Sequence, residues 1–338
     1  MITKPIFFER NRVGRVYTGG MLFHGFFGDE PIDNFEPEEW IASQVKAINK
    51  VQKSPKEGVS KIKDSEIYFD ELLALYPNEL LGENNKLRIL VKALDSAIRL
   101  PAQAHPDKAF SRKFFNSDYG KNECWIILDT RPDAKIFFGF KDGVTKEEFE
   151  KAIDQSESDM DAMERLMLEI APKKGDVYLV PAKTVHAIGK GCLILEIQEP
   201  TDFTIQPEHY CGEYKLSEKE MYLGLSREDA ITCFDFGTAP DAQILPQIVE
   251  FSNSFTKENL INQENTDCFV INRIKLSNGS YTPKLSNTYA IYIVTEGEGE
   301  IICENYSQKL KKGDYFFHPA CLMGKTEISG NIEIIECY

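Results

Sequence analysis

One pattern occurs twice in this chain and restricts its fold more than any other. Gly175-Asp176, four residues and Pro181 return as Gly313-Asp314, four residues and Pro319. A Gly-Asp turn leading into a short apolar strand, repeated at a distance, predicts a duplicated β-module. The fifth residue after the proline is His186 in the first copy and Gly324 in the second. Only the first copy therefore keeps a side chain able to bind a metal.

The surrounding sequence supports a mainly β protein. Cys124–Leu128, Ala134–Phe140 and Val177–Val180 are short apolar runs bounded by Gly, Pro or Asp, as strands are. In the last hundred residues Tyr289–Val294, a turn at Gly297-Glu298-Gly299 and Ile301-Ile302 read the same way. Asp70–Leu75 reads as a helix ending before Pro77. Leu87–Leu94 fits either a buried strand or a helix turn, since periodicity alone does not separate them. One helical insertion, about residues 141–172, interrupts the first module. Thr145-Lys146-Glu147-Glu148 has capping-box spacing, and Phe149, Ala152 and Ile153 follow at helical intervals. Met160, Met163, Met167 and Ile170 extend this as a second apolar stripe, read as core packing.

Charge and cysteine usage narrow the function. The 338 residues carry a net charge of −15, which opposes nucleic acid and anionic membrane surfaces. An anionic small substrate then requires local lysines or arginines. The eight cysteines form no CxxC pair, and Cys124 and Cys192 sit inside apolar runs, so reduced core thiols in a cytoplasmic protein are expected. Met1–Pro5 lacks the apolar stretch of a signal peptide, and no apolar run approaches a membrane span.

The chain has only five histidines, and two of them lie in specific settings. His105 belongs to Leu100-Pro101-Ala102-Gln103-Ala104-His105-Pro106-Asp107, and His186 closes the first Gly-Asp module. Between them stands Gly120-Lys121-Asn122-Glu123. Gln103, His105, Glu123 and His186 offer two imidazoles, one carboxylate and one amide oxygen. That set suits a divalent metal with positions left open for substrate. In an extended segment Gln103 and His105 share a face. His105 or Glu123 alone is commonly structural; the combination points to a metal. His24, His209 and His318 lack this context and are read as structural or surface residues.

The form G(x)5P(x)4H from Gly175 to His186 is the second motif of the cupin barrel, with Lys183 where a glycine is usual. Gln103-Ala104-His105-Pro106-Asp107, Gly120–Trp125, Pro181–Gly191 and Leu193–Gln198 together resemble the type I phosphomannose isomerases, in particular their short bacterial branch. Trp40, within Pro-Glu-Glu-Trp, fits the same pattern. The resemblance runs through most of residues 15–210 and more weakly beyond. It implies two cupin barrels, a metal-binding domain over 1–240 and a degenerate one over 241–338, with one zinc ion per chain on Gln103, His105, Glu123 and His186. It further implies interconversion of mannose 6-phosphate and fructose 6-phosphate, with a sugar phosphate as the small-molecule partner. Glu196 falls at the family's acid/base position, and Lys121 and Lys92 match lysines near the substrate. Lys183 and Lys190 flank His186 and would add positive potential.

Two departures qualify the transfer. Pro101 stands where the family has a serine, and it offers neither hydroxyl nor N–H. Gln206 stands where the family places an arginine, so a permanent planar cation becomes a neutral amide. Gln206 is accordingly a candidate catalytic position with altered chemistry. The competing reading is a sugar-binding metal cupin that is non-catalytic or has another specificity. An iron oxygenase is a third, disfavoured by Gln103 and the presence of only two candidate histidine ligands.

Overall fold

The structure is a computed structural model that describes residues 2–237 and 241–338. Two antiparallel sheets dominate it. The first runs, in order, Gln243–Ile244, Val177–Val180, Glu123–Thr130, Cys192–Gln198, Leu90–Ser96, Glu38–Ile41 and Arg12–Val13. The second runs Ile6–Phe7, Tyr315–His318, Ala290–Cys303, Thr326–Cys337, Ile271–Tyr281, Phe255–Ile261 and Gln247–Ser252, with Tyr306–Lys311 paired to Ala290–Cys303. The sheets exchange edges. Ile6 and Phe7 pair with Phe317 and Phe316, whereas Gln243 and Ile244 pair with Tyr178 and Val177. The first residues of the chain therefore complete the C-terminal sheet.

The central strands are buried on both faces, so most of their residues are apolar. Cys124, Ile126, Leu193, Leu195, Ile197, Val91 and Ala93 face a core shared with Ile291, Ile293, Phe317 and Ile335 of the second sheet. Trp125, Ile127, Ile194 and Leu94 face the opposite core, under the small sheet of Met167–Ile170, Ile136–Phe140 and His186–Ile188. Residues buried on both faces leave no polar alternation to read. Leu87–Leu94 resolves as a strand, Leu90–Ser96, for this reason.

The Gly-Asp echo is a structural repeat. Gly175 and Gly313 both have positive φ, at 92° and 85°. Gly175 N–H donates to Ile127 O and Ile127 N–H donates to Asp176 O; in the second copy Gly313 N–H donates to Val294 O and Val294 N–H donates to Asp314 O. The strands Val177–Val180 and Tyr315–His318 then follow.

One local expectation is met and two change. The capping box at Thr145 and Glu148 is formed and starts the helix Lys146–Gln155. The methionine stripe, however, is no second helix. It passes through turns and a 3-10 turn into the strand Met167–Ile170, with Met163 and Met167 buried and Met160 exposed. Gly297-Glu298-Gly299 is no turn either. A register shift between Val294 and Glu296 lets one strand continue from Ala290 to Cys303, and Gly297 takes φ +77°. A β-bulge absorbs the extra residue that the sequence presents as a break.

Candidate metal centre

The first sheet sets a row of polar side chains on its cavity face. Cross-strand register places Trp40 beside Lys92, Lys92 beside Glu196, and Glu196 beside Trp125. Glu123 opens its strand opposite Gln198. His186 begins the strand His186–Ile188, and its backbone pairs with Gln103 through two hydrogen bonds of 2.9 Å. Gly120 permits the next approach: a Cβ there would lie 2.7 Å from Pro106 O. The loop carrying Lys121 can thus pack directly on the segment carrying His105.

These elements bring His105, Glu123 and His186 together, with one ligand atom of each inside 4.8 Å of the others and all three buried. His105 Nε2 lies 3.2 Å from His186 Nε2 and 3.1 Å from Glu123 Oε2, and His186 Nε2 lies 3.5 Å from Glu123 Oε1. Donors about 2.0–2.2 Å from a tetrahedral ion stand roughly 3.3–3.6 Å apart, so the three groups lie within a few tenths of an ångström of the spacing a divalent metal needs. The tautomers fit as well. His105 Nδ1 and His186 Nδ1 each donate to a carbonyl, Phe203 O and Thr184 O, at 2.9 Å. Both Nε2 atoms then present lone pairs, which leaves no proton to bridge them and favours a cation. Lys121 Nζ stands in as that cation, bonded to His105 Nε2 at 2.7 Å and to Glu123 Oε2. Gln103 is buried and lines the adjoining cavity.

The electrostatics agree. Burial keeps His186 neutral, with its pKa lowered to about 3, and burial together with Lys121 lowers His105. Burial alone would raise Glu123, but Lys121 and His105 hold it well below the usual carboxylate range. Trp125 Nε1 donates to Glu123 Oε1 at 2.9 Å and fixes the carboxylate from behind.

Beside this cluster lies a cavity of about 470 Å³ lined by Gln103, Pro101, Lys92, Lys121, Glu196 and Gln206, among others. Glu196 is buried; its Oε1 has an ionic contact with Lys92 Nζ at 3.2 Å but no aligned hydrogen bond. Burial and the nearby Glu123 raise its pKa. Gln206 donates to Glu220 O at 3.3 Å. Lys183 and Lys190, expected beside the substrate, are not among the residues that line this cavity. Lys183 spends its backbone in a turn with φ +70°, donating to His105 O at 2.7 Å, and Lys190 lines a separate cleft with Arg99 and Asp133.

Sequence reasoning missed the cavity's opposite wall. Arg15, half-buried, bonds Glu38 Oε1 and Asp202 Oδ1 at 2.9 Å and Asn49 Oδ1 at 3.0 Å. Asp202 is also 3.9 Å from Lys92. Only Pro37-Glu38-Glu39-Trp40 gave any signal, through Trp40; Arg15 has no spacing relation to the other groups. His318 is fully buried, bonded to Thr326 Oγ1 at 2.6 Å, while His24 is exposed and His209 half-buried.

The family model for the cupin domain of mannose-6-phosphate isomerase matches residues 260–338. Mannose-6-phosphate isomerase ManA of Bacillus subtilis is 32% identical over 258 residues, 75% of each chain. The chain belongs to the mannose-6-phosphate isomerase family. Over 99% of both chains it is 28% identical to the probable mannose-6-phosphate isomerase GmuF of the same organism. The crystal structure of the Bacillus subtilis mannose 6-phosphate isomerase superposes with a TM-score of 0.77 at 25% identity, over 99% of each chain. This member of the family thus combines a cupin-type isomerase fold with a candidate metal site between its first sheet and the small three-stranded sheet. No described helix is long and apolar enough to cross a membrane.

Proposed function

We propose that this chain is a zinc-dependent aldose–ketose isomerase that interconverts mannose 6-phosphate and fructose 6-phosphate. In this reading each half of the chain is a cupin barrel, residues 1–240 with a helical insertion and residues 241–338 without metal ligands. His105, Glu123, His186 and Gln103 would hold one zinc ion, displacing the Lys121 ammonium toward the cavity. A bound zinc ion would polarise the C1 and C2 oxygens and stabilise an enediolate between aldose and ketose. Glu196 takes the proton from C2 of the aldose and returns it to C1, and its raised pKa suits a group that must both accept and donate. Lys92, in register with Glu196 and 3.2 Å from it, holds that carboxylate in place.

The observation that carries the reading is the pair of Nε2 lone pairs 3.2 Å apart beside an ionised carboxylate, facing a cavity that contains a buried glutamate. A coupled assay for fructose 6-phosphate tests it. Glu196→Gln should lower kcat by about 10²–10⁴ with zinc content unchanged, as loss of an acid/base does. His105→Ala should lose both zinc and turnover. Full activity in Glu196→Gln, or zinc-free turnover in the wild type, contradicts the assignment.

A further inference from the structure

Behind the Lys121 loop lies a second cleft, of about 310 Å³, with an unusual wall for a chain of net charge −15. Lys86, Arg88, Lys108 and Arg112 line it, with Tyr119, Asp118, Glu199 and Cys268 completing the surface. The acidic members do not neutralise the four cations. Glu199 is buried and turned to the loop: its carboxylate accepts from Gly120 N at 3.2 Å, and from Asn122 N and Asn122 Nδ2 at 3.0 Å. Asp118 pairs with Arg112 at 3.2 Å, and Lys108 pairs with Asp267 at 3.0 Å, in both cases through largely exposed carboxylates. Such pairs are weak in water and yield readily to a stronger anion. Lys86 and Arg88 have no ion-pair partner among the described residues.

We infer that this cleft is a second anion site that takes a phosphate dianion, free or carried by a small metabolite. The chemistry is specific to phosphate in two respects. Two guanidinium forks and two ammonium groups match its charge and its several acceptor oxygens, and the Tyr119 phenol adds a neutral donor. The volume holds a phosphate group with room for a sugar-sized body. The site is distinct from the catalytic cavity, whose walls include none of these eight residues. It nevertheless shares a backbone with the catalytic groups. Lys108 lies three residues after His105, Tyr119 lies two before Lys121, and Lys121 N–H donates to Pro106 O at 2.9 Å. An anion seated there binds the outer side of the segments whose inner side carries His105 and Lys121.

The test is a thermal-shift and calorimetric titration of the full chain with inorganic phosphate and, in parallel, with a hexose 6-phosphate. The double variant Lys86→Glu/Arg88→Glu is compared with Lys50→Glu, an exposed substitution on the rim of the catalytic cavity. Phosphate should raise Tm in the wild type and in Lys50→Glu, as any ligand specific to the native state does. The double variant should weaken this binding about tenfold or more, while circular dichroism shows it folded. Equal affinity for the two ligands assigns the site to free phosphate; a much tighter ester assigns it to a phosphorylated sugar. The inference is overturned if the double variant binds phosphate as the wild type does, or if Lys50→Glu alone abolishes the response. It is also overturned if neither ligand binds outside the catalytic cavity.

Discussion

Replacing Trp125 by Phe isolates the support behind the carboxylate of the candidate metal centre. Trp125 is fully buried, and its indole N–H donates to Glu123 Oε1 at 2.9 Å. Phenylalanine keeps an aromatic ring against His186, whose ring centroid is 5.5 Å away, but removes the donor. A buried hydrogen bond to an ionised group contributes about 1.5–3 kcal/mol. If that energy positions the charged carboxylate for the cation, its loss weakens metal binding by roughly 10–150-fold at about 1.4 kcal/mol per decade. That range agrees with the roughly 10–100-fold typical of outer-shell partners. The smaller ring also costs about 1–2 kcal/mol of folding stability through lost packing. Competition of the folded protein with a zinc chelator separates the two effects. Zinc affinity within twofold of the wild type would refute the claim that Trp125 acts through Glu123, whatever the change in Tm.

Glu38 should make part of the stability acid-sensitive. Burial opposes its ionisation, but Arg15 and Lys92 overcome this and hold its pKa at about 2, against 4.5 for an unperturbed glutamate. A depressed carboxylate stabilises the fold fully above the unfolded value and loses that contribution as pH falls toward the folded one. The contribution is about 3 kcal/mol, lost between roughly pH 4.5 and 2. Urea unfolding of Glu38→Gln should therefore show a shallower fall with pH over this window; an identical slope would contradict it. Gln206→Arg, which places a permanent cation on the cavity wall, should raise kcat at least severalfold in the coupled assay, since a single donor aimed at developing charge is commonly worth 10²-fold or more. An unchanged kcat would show that the neutral amide does not limit turnover.

Much of the candidate site was legible because its proposed ligands come from short segments with fixed internal spacing. Gln103 and His105 share one stretch, Lys121 and Glu123 another, and His186 follows a glycine-turn strand whose hydrogen bonds recur at Gly313. Where the sequence misled, long-range pairing had overridden a local signal. Gly297 looked like a turn, but pairing with Thr326–Cys337 carries the strand through it as a bulge. The methionine stripe has helical spacing, yet Met167–Ile170 is recruited as a partner for Ile136–Phe140.

By itself the sequence determined the β-modules, the capped helix from Lys146 and the donor types of the candidate metal centre, because each depends on residue types a few positions apart. Tertiary structure alone decided the tautomers of the two histidines, the Arg15–Glu38–Asp202 wall and the exclusion of Lys183 and Lys190 from the cavity. Those outcomes depend on which carbonyl or charge arrives from a distant strand, and hydrogen bonds and Coulomb forces act over distances in space, whatever the separation along the chain.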